Sequence, residues 1–201
     1  MTDEQIFHFL FTAVFVLVFV ISVYFRRKAR QASGVIARSQ EGGPLMLIRL
    51  VFASLIYVPV LVYMINPAWM AWSSVPLPAW LRWLGGGLGV CAVPLIYWLL
   101  SSLGSNISET VLVKESHALV THGPYRWVRH PLYSVSLLML IALSLLAANA
   151  FMAVMVMVGL GIILMVVIPK EETHLTERFG DAYRTYQQRT GRLLPRFRAA
   201  G

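Results

Sequence analysis

Cysteine and charge are both scarce in this chain, and each shortage narrows what it can be. Cys91 is the single thiol in 201 residues. It allows no intramolecular disulfide and no thiolate metal site, and inside an apolar run it reads as a small hydrophobe packed against a neighbouring helix. Charged residues make up 13% of the chain and apolar ones 58%. Soluble domains run near 25% and 45–50%, so lipid is the expected solvent. A cleavable signal is not expected. Asp3 and Glu4 stand where a basic region would precede the first apolar run, and no small-residue cleavage site follows it. No internal repeat or low-complexity segment is evident.

What is present is a series of long apolar runs. They predict an all-α integral membrane protein of one domain, residues 1–201, with about five transmembrane helices and no Rossmann domain. The expected spans are 6–25, 45–65, 80–100, 132–147 and 150–168. The last two form a hairpin that turns at Ala147-Ala148-Asn149. Trp69, Trp72, Pro76 and Pro78 mark a loop at the headgroup level. Pro59 is expected to kink the second span, and Pro169 to end the last one. Beyond it, Leu175, Phe179, Ala182 and Tyr186 recur at helical spacing, as in amphipathic helices lying on the membrane. Gly85, Gly86, Gly87 and Gly89 resemble a nucleotide loop, but no strand precedes them. The Gly85/Gly89 pair reads instead as a close approach of two membrane helices.

The net charge of +8 does not indicate a nucleic-acid partner, because the basic residues cluster beside the spans, where they meet anionic membrane lipids. With the N-terminus outside, the inside loops hold Arg26, Arg27, Lys28, Arg30, Arg38, Arg49, Lys114, Arg126, Arg129 and every basic residue from Lys170 onward. Arg82 alone lies outside. This asymmetry places residues 101–131 and 170–201 together on the cytoplasmic side.

Two polar clusters therefore abut the membrane on one face. The first runs from His117 through Tyr125, Arg129-His130-Pro131 and Tyr133. The second is Glu171-Glu172, followed by Phe179-Gly180 and Tyr183. Charges beside hydrocarbon are expected to pair, and Arg129 with Glu171 is an available pair. Arg126 reads equally well as an anchor to lipid phosphate, and Glu172 as an acidic residue complementing a helix N-terminus. His122 reads as a loop residue, and His8 and His174 as interfacial or solvated. The spacing of His117, His122 and His130 fits no compact metal-ligand pattern, so no metal is expected.

The string GPYRWVRHPLY, then EE-x-x-L-x-x-x-FG-x-x-Y-x-x-Y and R-LLP, resembles the isoprenylcysteine carboxyl methyltransferase family. Phospholipid N-methyltransferases share part of it. The resemblance covers roughly His117 to Pro195. It implies a methyltransferase that uses S-adenosylmethionine and acts at the membrane on a lipophilic or small-molecule acceptor entering from the bilayer. Carried over by position, the donor contacts are His117, Ala118, Leu119, Val120, Tyr125, Arg129, His130, Pro131, Leu132 and Glu171, with Arg129 and Glu171 central to the reaction. An arginine can grip the donor's carboxylate, and Glu171 can accept from its ribose hydroxyls or ammonium. Tyr125 or Trp127 can wall its adenine. Val167 stands where eukaryotic members of the family carry an arginine about one turn before the Glu pair, and Ser134-Val135 follows a box usually followed by glycine. The acceptor thus stays open between an isoprenoid carboxylate, a lipid amine and a small thiol. Two further readings are a sterol-reductase-like enzyme using NADPH and a non-enzymatic lipid-binding or transport protein.

Overall fold

The computed structural model describes residues 2–33, 43–107 and 118–196. His117, Arg38 and Lys114 lie outside the described residues. Among the described residues six α-helices follow one another: α1 (Asp3–Ser33), α2 (Gly43–Ile65), α3 (Ala79–Leu103), α4 (Pro131–Ala147), α5 (Ala150–Ile162) and α6 (Ile168–Arg189). No strand occurs among the described residues, where pairing between extended segments is limited to two isolated bridges. Asp3–Ala32, Ala79–Asn106 and Ala150–Arg189 are long and apolar enough to cross a membrane, and Ala53–Ile65 and Pro131–Ala147 are shorter apolar helices.

Helix α1 does not stop at Arg26, because Lys and Arg are good helix formers. Charge ends the apolar stretch there and leaves the backbone helical. The hairpin turns where expected. Ala148 adopts a left-handed conformation (φ 48°, ψ 48°), and Asn149 caps α5 by accepting from the Met152 N–H at 3.0 Å. The Asn149 amide also donates to Ser73 Oγ (2.7 Å) and the Met70 carbonyl (3.1 Å), which ties the hairpin to the 3₁₀ turn Pro67–Ser73. Trp69, Trp72 and Trp80 stand exposed at this end.

Helix α3 packs between α1 and α4. A Cβ on Gly85 would sit 2.7 Å from Leu145 Cβ and 3.0 Å from the Ala142 carbonyl oxygen of α4, and one on Gly89 would sit 3.1 Å from Val14 of α1. These glycines set how closely three helices approach. Gly87 meets nothing within 4 Å. Gly85→Ala should therefore destabilise the detergent-solubilised protein by about 1–3 kcal/mol, as overpacking does, while Gly87→Ala leaves it unchanged. Equal melting of the two variants would refute this account of the interface.

Three expectations need correction. Pro169 does not end the last helix. The chain passes from α5 through a π-helical turn, Ile163–Val167, directly into α6, and the Ile168 N–H bonds to the Ile163 carbonyl. The wider π turn accommodates a proline that would otherwise clash with the preceding turn. The interruption comes later, at Gly180 (φ 53°), and it shifts the buried face of α6 from Ala182, which is exposed, to Tyr183. Cys91 is exposed rather than packed against another helix. Its span is apolar all round, so no periodicity showed which side faces lipid. Finally, Arg82 is buried at the end opposite the site, although the charge count treats it as a lone outside cation. Its guanidinium pairs with Glu4, bonds the Leu146 carbonyl at 2.9 and 3.1 Å in the last turn of α4, and lies 4.1 Å over the Phe7 ring.

Candidate active site

Pro131 starts α4, its missing N–H costing nothing at a first helical position. The residues just before it, Trp127 to His130, run beside the segment after α6, with Val128 bridging to Gly191. Gly191 N–H donates to the Trp127 carbonyl (3.1 Å), Arg129 N–H to the Gly191 carbonyl (2.8 Å) and His130 N–H to the Arg192 carbonyl (3.1 Å). Ser134 Oγ donates to the Leu193 carbonyl at 2.6 Å. A C-terminal strap of residues 190–193 thus holds the start of α4 against the end of α6. A Cβ on Gly191 would fall 1.7 Å from the Leu194 carbonyl oxygen, so this turn requires glycine.

Glu172 is the centre of the side-chain network. Its buried carboxylate accepts from Arg129 Nε (3.0 Å) and Arg192 Nη2 (2.8 Å), and pairs with His130 Nε2 at 3.2 Å. Glu171, on the half-exposed side, accepts from the Tyr133 hydroxyl (3.0 Å) and faces His130 Nδ1 at 3.5 Å. His130 is therefore buried between two carboxylates. Burial alone would lower its pKa, but the hydrogen bonds and charges of Glu171 and Glu172 outweigh it and raise the imidazole above its ordinary value. For Glu172, burial disfavours the charge, and His130, Arg192 and Arg129 overcome it, bringing the carboxyl down to about 2.

The expected pairing of Arg129 with Glu171 is thus corrected: Arg129 pairs with Glu172. Its Nη1 also donates to the carbonyls of Gln187 (3.0 Å) and Thr190. These belong to the last turn of α6, whose carbonyls have no helical partner. Arg129 closes the end of α6, and this occupies the guanidinium that the sequence offered to a ligand carboxylate. Glu172, read as a helix-terminus complement, turns out to be the hub.

Among the other predicted site residues, His130, Pro131 and Leu132 start α4 beside the carboxylates, and Leu132 packs on the hydrophobic core. The Tyr125 ring is buried, and its carbonyl accepts from the buried Tyr186 hydroxyl. Burial raises the Tyr186 hydroxyl to about 12. Of the two aromatics proposed as an adenine wall, Trp127 is the exposed one, edge-on to Trp98 and with Arg126 4.7 Å over its ring. Ala118 is held by the Asn106 side chain (2.8 Å), and Val120 packs on the core. No hydrogen bond among the described residues joins the 118–120 segment to the carboxylates.

Reading the sequence placed Glu172 and Tyr183 in the second cluster and Tyr186 in the amphipathic tail without giving them a part in the network, and it missed Arg192. Tyr183 and Tyr186 are buried together after the break at Gly180, and their spacing of three residues was the available signal. Arg192 carried none, because the strap has no periodicity.

Comparison with known proteins bears on the same region. Residues 86–177 match the model of the "Isoprenylcysteine carboxyl methyltransferase (ICMT) family". A protein-S-isoprenylcysteine O-methyltransferase of Tribolium castaneum is 32% identical over 120 residues, 57% of this chain and 43% of that protein. A probable protein-S-isoprenylcysteine O-methyltransferase of Oryza sativa subsp. japonica is 34% identical over 82 residues, 41% of this chain and 43% of that protein. An uncharacterised protein of Bacillus subtilis, YpbQ, is 38% identical over 65 residues, 32% of this chain and 39% of that protein. The matched part thus spans 39–43% of these relatives. A solved structure of a eukaryotic intramembrane Ras methyltransferase, ICMT, superposes with a TM-score of 0.54 at 21% identity, covering 92% of this chain and 67% of that one. At that identity the likeness establishes a shared membrane fold, and with the three long apolar helices it makes this a multi-pass membrane protein.

Proposed function

We propose, from the premise that the chain is an ICMT-like membrane protein, that it is a methyltransferase using S-adenosylmethionine on a lipophilic acceptor at the membrane. The observation that carries this reading is the joining of the two clusters named by the sequence resemblance. His130 and Tyr133 at the start of α4 bond directly to Glu171 and Glu172 of α6 at the edge of the apolar helices. The curated relatives named as isoprenylcysteine methyltransferases make a prenylcysteine-type carboxylate the leading acceptor class. The N-terminus is outside, and the site and the C-terminal tail are cytoplasmic, in keeping with the basic residues at the end of α1.

The residues present suit the donor. Glu171 is half-exposed and, as a carboxylate, keeps acceptor capacity beyond its bonds to Tyr133 and His130. Nearby, the Tyr183 hydroxyl is buried with no partner among the described residues. When bound, S-adenosylmethionine supplies an activated methyl group on a sulfonium, so the protein needs no covalent intermediate. Glu171 binds the donor's hydroxyl or ammonium groups. Tyr133 and His130 fix the Glu171 carboxylate in place, and Glu172 with Arg129 and Arg192 fixes His130. Val167, packed with Tyr133, Ile162 and Val166, forms an apolar wall that excludes water and continues into the bilayer side of the site. Alignment and water exclusion are what such a transfer asks of a protein.

Calorimetry on detergent-purified protein tests this. S-adenosylmethionine and S-adenosylhomocysteine should both bind, and Glu171→Ala should weaken binding about 10–100-fold, the worth of one or two hydrogen bonds to a charged group. Well-folded protein that ignores both ligands and binds a nicotinamide dinucleotide would overturn the reading.

A further inference from the structure

Tyr183 is the largest fully buried side chain among the described residues, at 1% exposure. Its hydroxyl has no hydrogen-bond partner among the described residues, although nearly all buried polar groups find one. A phenylalanine would fill the same space without that cost. Tyr186, one turn along the same buried stripe with its ring centroid 6.0 Å away, shows the ordinary arrangement: its hydroxyl donates to the Tyr125 carbonyl. The unpaired phenol lies within the electrostatic field of Glu172, Arg129 and Glu171. Of these, Glu171 is the member open to solvent, and Tyr183 lies deeper.

We propose that the Tyr183 hydroxyl is a donor-binding group, donating a hydrogen bond to a ribose hydroxyl of S-adenosylmethionine that itself donates to Glu171. This rests on the methyltransferase reading above. The chemistry selects a neutral ligand hydroxyl. A ligand carboxylate would be repelled by the two glutamates, and an ammonium has no lone pair to accept from a phenol. A hydroxyl does both, accepting from Tyr183 and donating to Glu171. Burial, followed by the nearby carboxylates, raises the phenol well above its ordinary pKa, so it stays protonated and able to donate.

The test is Tyr183→Phe, read by calorimetry with S-adenosylhomocysteine and by thermal unfolding without ligand, beside Tyr186→Phe. Tyr183→Phe should bind about tenfold more weakly, yet unfold at the wild-type temperature or above it. Tyr186→Phe should lose ligand-free stability. The 2′,3′-dideoxy analogue of S-adenosylhomocysteine should not distinguish Tyr183→Phe from the wild type. Unchanged binding by Tyr183→Phe alongside a binding wild type would overturn this inference alone, and a wild type that binds no donor would overturn it together with the proposed function. Loss of ligand-free stability in Tyr183→Phe would overturn it in favour of an internal water partner. Discrimination that persists with the dideoxy analogue would refute the ribose assignment.

Discussion

Replacing Glu172 with alanine should unfold the candidate site rather than merely weaken it. The substitution leaves Arg129 and His130 buried with their carboxylate gone, and Arg192 without its anchor. Removing one partner of a buried ion pair costs about 3–5 kcal/mol. At about 2–4 °C per kcal/mol for a chain of this size, thermal unfolding in detergent should fall by about 10 °C. Glu172→Gln keeps the shape and some hydrogen bonding, so its loss should be smaller. The pH dependence follows from the same group. With its folded pKa at about 2 against an ordinary 4.5, the Glu172 contribution is fully present above pH 4.5 and drains away as pH falls toward 2. His130 runs the opposite way. Its raised value makes its contribution complete below the ordinary 6.5 and lost as pH rises through the folded value. Glu172→Gln should therefore flatten the acid limb of the stability curve. An alanine variant that melts with the wild type would show that the hub is not structural.

Gly191→Ala should weaken donor binding even though residue 191 need touch no ligand. The added methyl would fall on a backbone oxygen, which no rotamer change can relieve. The strap must shift, and with it go the backbone bonds that hold Trp127, Arg129 and His130. Each such bond contributes about 0.5–1.5 kcal/mol, and buried partners left unpaired cost more. We expect S-adenosylhomocysteine affinity to fall by more than about tenfold, while the far end of the bundle, held by Arg82 and Asn149, stays folded. Amide hydrogen exchange would separate the two ends. Increased exchange confined to residues 123–134 and 185–196 supports the strap's role, and wild-type binding with unchanged exchange would end it.

The sequence by itself determined the helical membrane class, the position of the α4–α5 turn, the packing role of Gly85 and Gly89, and the two polar strings that make the site. Hydrocarbon demands long apolar helices, and turns and close contacts demand particular residue types, so those features are written locally. Only the tertiary structure decided how the charges pair. Glu171 and Glu172 are adjacent in sequence but about 100° apart around a helix, and the register of α6 sends one to Tyr133 and the other to Arg129 and Arg192. That register depends on a π turn that no hydrophobic pattern announces, and on a C-terminal strap whose partners lie some sixty residues away along the chain. Local propensity is blind to both, because each is fixed by contacts between segments rather than within them.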